Sequence, residues 1–389
     1  MLVIIGLAVL WYGLVPVVGA LIKRYKWFKF RNRFNGFRLH PIMDNQAYWQ
    51  MENNGGGHTR TFRFIGELES LTDKQVLWVR NEDLIVPVSL KNAESYLLSM
   101  QGDEGIPEIS YPGATAPDKI RWEKVSSLTE GTKVFVGGCL SCQEGRWGFV
   151  SSKESPLMVI FHDGPDHSLA TKTVWAGRHQ GEYLNPVTPY SLIIGALCLL
   201  FIATFFLQRP AFRPAVIVSI AAIFTPLFPL VPPGLLFTVV YRHLTWKARI
   251  LRAYSDLAKL PLCYFAPNGN GIQLRGKPAL PDGEPYGFVC CKELPPEVLE
   301  GKIPLLIPEI TELNGDNWYI FGTMLPSKLL PFRPRDPFAT FGVLPGNPKE
   351  FIRRCTVKAY AMETVAWIIL LAGISLNIFF LRLVLSLLI

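Results

Sequence analysis

The sequence predicts an integral membrane protein: about four transmembrane helices carrying two small β-rich soluble domains of barrel or sandwich type, OB- or SH3-like. Three observations predict it. Of 389 residues, 49% are hydrophobic, and many gather into runs near the ~18–20 residues that a helix needs to cross the hydrocarbon core. Clusters of Lys and Arg flank those runs. Between them lie short alternating stretches punctuated by Gly, Asp and Asn, the period-two pattern of strands and turns.

Residues 1–22 form the first apolar run. A secretory signal carries its cations before the apolar core; here every cation follows it, so the run reads as a retained transmembrane helix. Residues 23–38 are a basic, aromatic juxtamembrane elbow. It contains Lys23, Arg24, Lys26, Trp27, Lys29, Arg31 and Arg33 and no acid. Nearly all of the net charge of +8 lies in this window. A nucleic-acid binder spreads its basic surface over a folded face. A cluster directly after an apolar span is instead the positive-inside signal, with aromatics suited to the headgroup belt. The elbow therefore predicts orientation and contact with the lipid bilayer and its anionic headgroups, with no nucleic acid.

Residues 39–185 form the first soluble β-rich domain. Its expected strands include "TFRFIGELE" (61–69), "QVLWV" (75–79), "LIVPVSL" (84–90), "KIRWEKV" (119–125), "TKVFVGGCL" (132–140), "RWGFVS" (146–151) and "LMVIFH" (157–162); "KNAESYLLSM" (91–100) reads as a short helix. Residues 191–207 are the second span. Residues 214–241 are a third, kinked by Pro226, Pro229, Pro232 and Pro233, as one bent span or a span plus an interfacial helix. Residues 242–259 are a second, amphipathic elbow with Arg242, Lys247, Arg249 and Arg252. Residues 260–346 hold the second β-rich domain, with "CYFAP" and "IPLLIPEIT" among its expected strands. In "NPKE" (347–350), Asn347 is a cap and Pro348 suits the first turn, so 347–389 reads as a helix continuing into a fourth span, with Arg353 and Arg354 ahead of it. The basic clusters agree on one topology: a multi-pass protein with its N-terminus outside and both soluble domains cytoplasmic, in the inner membrane if bacterial.

The order of parts reads twice. Span, basic elbow, β-rich domain and span recur, and "WFKFRNR" (27–33) stands beside "WKARILR" (246–252). An internal duplication is the expectation. "SLTEGTKVFVGG" (127–138) resembles the turn and strand of membrane-tethered small β-barrels in NfeD-like and GIDE-like proteins. The resemblance covers roughly thirty residues, no RING finger or protease motif accompanies it, and it implies fold alone.

Candidate chemistry is sparse. Cys139 and Cys142 form "CLSC", but zinc needs four ligands and the next close pair, Cys290 and Cys291, lies in the other domain. "HDGPDH" offers His162, Asp163, Asp166 and His167, with His179 as a further imidazole; its plain reading is a turn leading into a helix. These six residues of the two motifs are weak metal candidates, and the reading is that no metal or other cofactor binds. "NNGGGH" (53–58) lacks the Lys-Ser/Thr of a phosphate loop, and GxSxG, HExxH, GxGxxG and GxxxxGK[ST] are absent. The expected function is non-catalytic: a scaffold, assembly or regulatory factor acting through membrane-proximal β-rich domains, with a membrane-protein partner or as a homo-oligomer. Two alternatives stay open. One is a membrane-bound enzyme using the His162–His167 and Cys139/Cys142 region; the other is a small transporter or channel component.

Overall fold

The computed structural model of the chain describes residues 7, 10–53, 60–72, 74–82, 84–98, 118–143, 146–152, 155–178, 182–183, 185–208, 216–217, 219–220, 234–265, 280–307, 317–325 and 329–388. The helices are α1 (Val15–Phe37), α2 (Asn45–Asn53), α3 (Trp122–Val125), α4 (Asp166–Trp175), α5 (Thr188–Leu207), α6 (Gly234–Leu262), α7 (Pro296–Leu299) and α8 (Pro348–Leu388), with a π-helical turn over Leu10–Leu14. The chain divides into two compact units, Met1–Trp27 with Gly177–Ala253 and Arg353–Ile389, and Phe28–Ala176 with Tyr254–Ile352.

The first unit is helical. Among the described residues two helices are long and apolar enough to cross a membrane: Thr188–Leu207, with mean hydropathy 2.4, and Pro348–Leu376, with 1.7. The runs expected at 1–22 and 214–241 are described in part, the first over residues 7 and 10–22 and the second over 216–217, 219–220 and 234–241. Asn185 Nδ2 donates to Pro16 O at 3.0 Å, and a Cβ on Gly19 would stand 3.2 Å from Val187; from there α5 runs back along Leu10–Leu14, antiparallel to α1. α6 and α8 are also antiparallel. Phe237 packs on Gly373, and Tyr241 meets Trp367 edge-on at 5.7 Å. Trp27 is buried against Gly177, where φ is +65° and a Cβ would sit 2.0 Å from the indole, so only glycine fits.

The second unit holds the β-structure: β1 (Arg60–Thr72), β2 (Val76–Asn81), β3 (Leu84–Ser89), β4 (Glu94–Leu98), β5 (Asp118–Lys119), β6 (Lys133–Gln143), β7 (Arg146–Val150), β8 (Met158–His162), β9 (Tyr286–Cys291), β10 (Trp318–Thr323) and β11 (Gly342–Pro345). β1 pairs with both β2 and β6, β2 with β3, β3 in parallel with β7, and β7 with β6, so five strands close a ring. A register shift between Leu68 and Ser70 breaks the β1–β2 ladder, the bend that lets one strand serve two partners. The turn before β6 docks there: Gly131, at φ +82°, donates its N–H to Leu68 O, and Leu68 N–H donates to Thr132 O. Inside lie Phe64, Leu77, Val79, Val86, Val88, Val136, Leu140 and Phe149, all fully buried. β6 also pairs with β8, β8 in parallel with β4, and β4 with β5. β9, β10 and β11 form a separate three-stranded sheet.

Both segments expected as β-rich domains, 39–185 and 260–346, contribute to this one unit. Phe34 and Phe135 lie against Phe338, with ring centroids 6.0 and 5.2 Å away.

Several local expectations are corrected. Within 91–100, read as a helix, Glu94–Leu98 is strand β4, because five residues fit either period and the pairing with β8 decides. "KIRWEKV", read as a strand, is a two-residue strand end followed by α3. In "CYFAP" the described residues Cys263–Phe265 are the last turn after α6, and in "IPLLIPEIT" residues 303–307 make only an isolated bridge at Leu305. β6 runs unbroken through "CLSC". His179 and residues 54–58 of "NNGGGH" lie outside the described residues. The start of α8 matches its expectation: Asn347 Oδ1 accepts from Lys349 N–H at 3.1 Å.

Candidate functional site

Several elbow cations are bonded within the protein, and several are exposed. Arg24 on α1 and Arg252 on α6 both donate to the carboxylate of Glu363 on α8. Arg252 also lies over the Tyr360 ring at 4.8 Å. Arg249 pairs with Glu182; burial pushes the Glu182 carboxyl up, opposed by Arg249 and Arg242. In the β-rich unit, Arg31 donates to Ala176 O at 2.6 Å, and Arg33 bonds Glu94 and Pro156 O. Lys26, Lys29, Arg242, Lys247, Arg353 and Arg354 are exposed, and Lys23 is half-buried.

Two arginines are instead fully enclosed in the β-rich unit. Arg63 on β1 donates from Nη1 and Nη2 to Asp336 at 3.0 and 2.5 Å and from Nε to His40 O at 2.8 Å. Phe338 N–H donates to Asp336 at 3.0 Å, and the guanidinium lies 5.7 Å from the Phe338 ring centre. Arg38 donates to the hydroxyls of Tyr264 at 3.1 Å and Thr340 at 3.2 Å. Burial pushes the Tyr264 hydroxyl up and Arg38 counters it. Tyr286 donates to Thr340 O at 2.6 Å.

The sequence missed the acids that complete these groups. Glu182 and Glu363 flank apolar runs and Asp336 sits in a loop; a lone acid beside an apolar run was the available signal.

The residues singled out for chemistry do not converge. Cys139 and Cys142 are three positions apart on β6, so they face opposite sides of the sheet; Cys139 Sγ is 3.5 Å from Thr61 Oγ1 and Cys142 is exposed. His162 ends β8 and is 1% exposed. Its Nε2 stands 3.9 Å from Asp166 Oδ1 and bonds nothing among the described residues, while Lys133 reaches the same carboxylate at 3.3 Å. Burial lowers the imidazole to about 4, more than Asp166 raises it. Asp163 is exposed in the turn, and His167 belongs to α4. Among the described residues no three His, Cys, Asp or Glu side chains are grouped to hold a metal.

Together the two units define a class of protein: a β-rich body with apolar helices of membrane-crossing length. Compared with protein-family models, curated proteins and solved structures, the chain matches none.

Proposed function

We propose that this chain is a multi-pass membrane protein that works without catalysis, as a scaffold, assembly or regulatory factor acting through its β-rich unit on the cytoplasmic side. One observation carries the reading: the buried Arg63–Asp336 pair and the buried Arg38 are bonded within the protein as cross-links, to each other in the first case and to the Tyr264 and Thr340 hydroxyls in the second. A reactive site leaves such groups aimed at a cavity for substrate. The apolar helices are outward-facing, with Ile193, Leu197, Phe201 and Leu207 on α5 all exposed, as lipid-facing helices are.

In this reading four helices span. α1 and α6 continue the apolar runs at 1–22 and 214–241, and the antiparallel pairs α1/α5 and α6/α8 fit alternate crossings with the N-terminus outside. The closed ring with its parallel β3–β7 pair supports an OB-like barrel. The recurrence of strand, glycine turn and helix at β8–α4 and β11–α8 supports a duplication. Anionic lipid headgroups are partners, and a membrane protein or a second copy is the further partner.

The test is extraction in mild detergent followed by cross-linking and mass spectrometry. A reproducible, near-stoichiometric membrane partner or homo-oligomer is expected. A monomer with no cross-linked neighbour, carrying bound metal, overturns the reading in favour of chemistry at His162 or the cysteines.

A further inference from the structure

We propose that the elbow cations perform two separate tasks, and that Lys26, Arg242, Lys247 and Lys358 form a belt binding the phosphates of anionic phospholipids. The inference rests on the membrane reading above and adds which side chains meet lipid.

Arg24, Arg249 and Arg252 are already paired with Glu363 and Glu182, so they hold helices together. Glu363 brings α1, α6 and α8 to a common level. Around that level the outer face of each helix changes character. On α1, exposed Leu21 and Ile22 give way to Tyr25, 66% exposed, and then Lys26. On α6, Leu236, 70% exposed, and Val239 give way to Arg242, Trp246 and Lys247. α8 runs the opposite way, and its order reverses: Lys358 and Tyr360, 60% exposed, precede Val365, Ile368 and Leu371.

The contacts of Phe237 with Gly373 and Tyr241 with Trp367 set the register between α6 and α8. They put Lys247 level with Glu363, with Arg242 and Lys358 each about 7.5 Å from that level at 1.5 Å per residue. Arg242 lies on the membrane side of that level and Lys358 on the other, a spread of about 15 Å at 1.5 Å per residue, and flexible cationic stems reach from both sides into the headgroup layer. Apolar residues, then an aromatic or cation, then cations, on three helices and in both chain directions, is the order of a lipid–water boundary. Nothing acidic interrupts the outward faces named here, so the complementary ligand is an anionic headgroup.

The full chain is reconstituted in nanodiscs of phosphatidylcholine with or without phosphatidylglycerol, and bound lipid is counted by native mass spectrometry. Wild type is expected to retain phosphatidylglycerol preferentially. The variant Lys26→Gln/Arg242→Gln/Lys247→Gln/Lys358→Gln is expected to lose about five-fold in that preference per charge removed, with an unchanged melting temperature in pure phosphatidylcholine. Glu363→Gln is expected to do the reverse, keeping the preference and melting earlier in both lipids. Equal phosphatidylglycerol retention by wild type and the fourfold variant overturns the proposal. Should the fourfold variant fail to fold, Lys26→Gln/Lys247→Gln gives the same readout. A chain that stays soluble without detergent and enters neither nanodisc overturns the membrane reading itself, and the belt with it.

Discussion

Arg63 and Asp336 meet with both side chains at zero exposure, through two parallel bonds and beside an aromatic ring. Arg24 and Arg252 share Glu363 with side chains 41%, 22% and 21% exposed. The ions are of the same kind, but the energetics differ. Burial removes water from the first pair, so each ion depends on its partner and on the fixed His40 carbonyl and Phe338 N–H beside them. Around Glu363, solvent screens the attraction and supports whichever partner is left behind. The enclosed pair is thus all-or-none, whereas the elbow cluster is adjustable.

The largest effect is expected at the enclosed pair. Asp336→Asn leaves a buried guanidinium without its counter-ion, and about 3–5 kcal/mol of stability is lost; unfolding in mild detergent measures it, and a loss under about 1 kcal/mol would erase the contrast with Glu363.

His162 meets the burial problem by staying neutral. Its folded-state value is near 4 against 6.5 when unfolded, so the unfolded chain binds a proton that the folded chain refuses. Its stabilising share is complete above pH 6.5, falls as pH drops towards 4, and amounts to about 3 kcal/mol across that window. His162→Gln should flatten the acid limb of a stability–pH curve.

Tyr264→Phe removes one of the hydroxyls on Arg38 and is expected to lower stability by about 2 kcal/mol, since a buried donor goes unsatisfied. Smallest is Glu363→Gln, at about 1 kcal/mol. Its effect should shrink as salt rises past about 0.15 M, where the screening length is near 8 Å, while the Asp336→Asn loss should not. Equal salt dependence for the two variants would break the distinction between the junctions.

Much of the architecture was legible because it is local. The apolar runs of Thr188–Leu207 and Pro348–Leu376, the Asn347 cap and most strands of the ring announce themselves through composition and period. β4 did not, because "ESYLL" is short enough to fit a helix or a strand and only β8 decides between them. The closure of the ring was equally hidden, since it depends on one bulged strand pairing on both edges. The candidate chemistry failed for a geometric reason: an odd separation along a strand divides Cys139 from Cys142. The buried arginines looked like ordinary surface charges, because nothing near Arg63 in the chain is its partner.

That separation has a temporal consequence. Arg63 and Asp336 are 273 residues apart, so at 5–20 residues per second a ribosome takes about 14–55 s to make the second after the first. Through that interval the first strand of the ring carries a cation that the finished core cannot hold alone. The β-rich unit therefore completes late in synthesis, after the intervening helices have emerged, and a chain stalled before residue 336 would present chaperones and proteases with a ring whose buried Arg63 has no counter-ion.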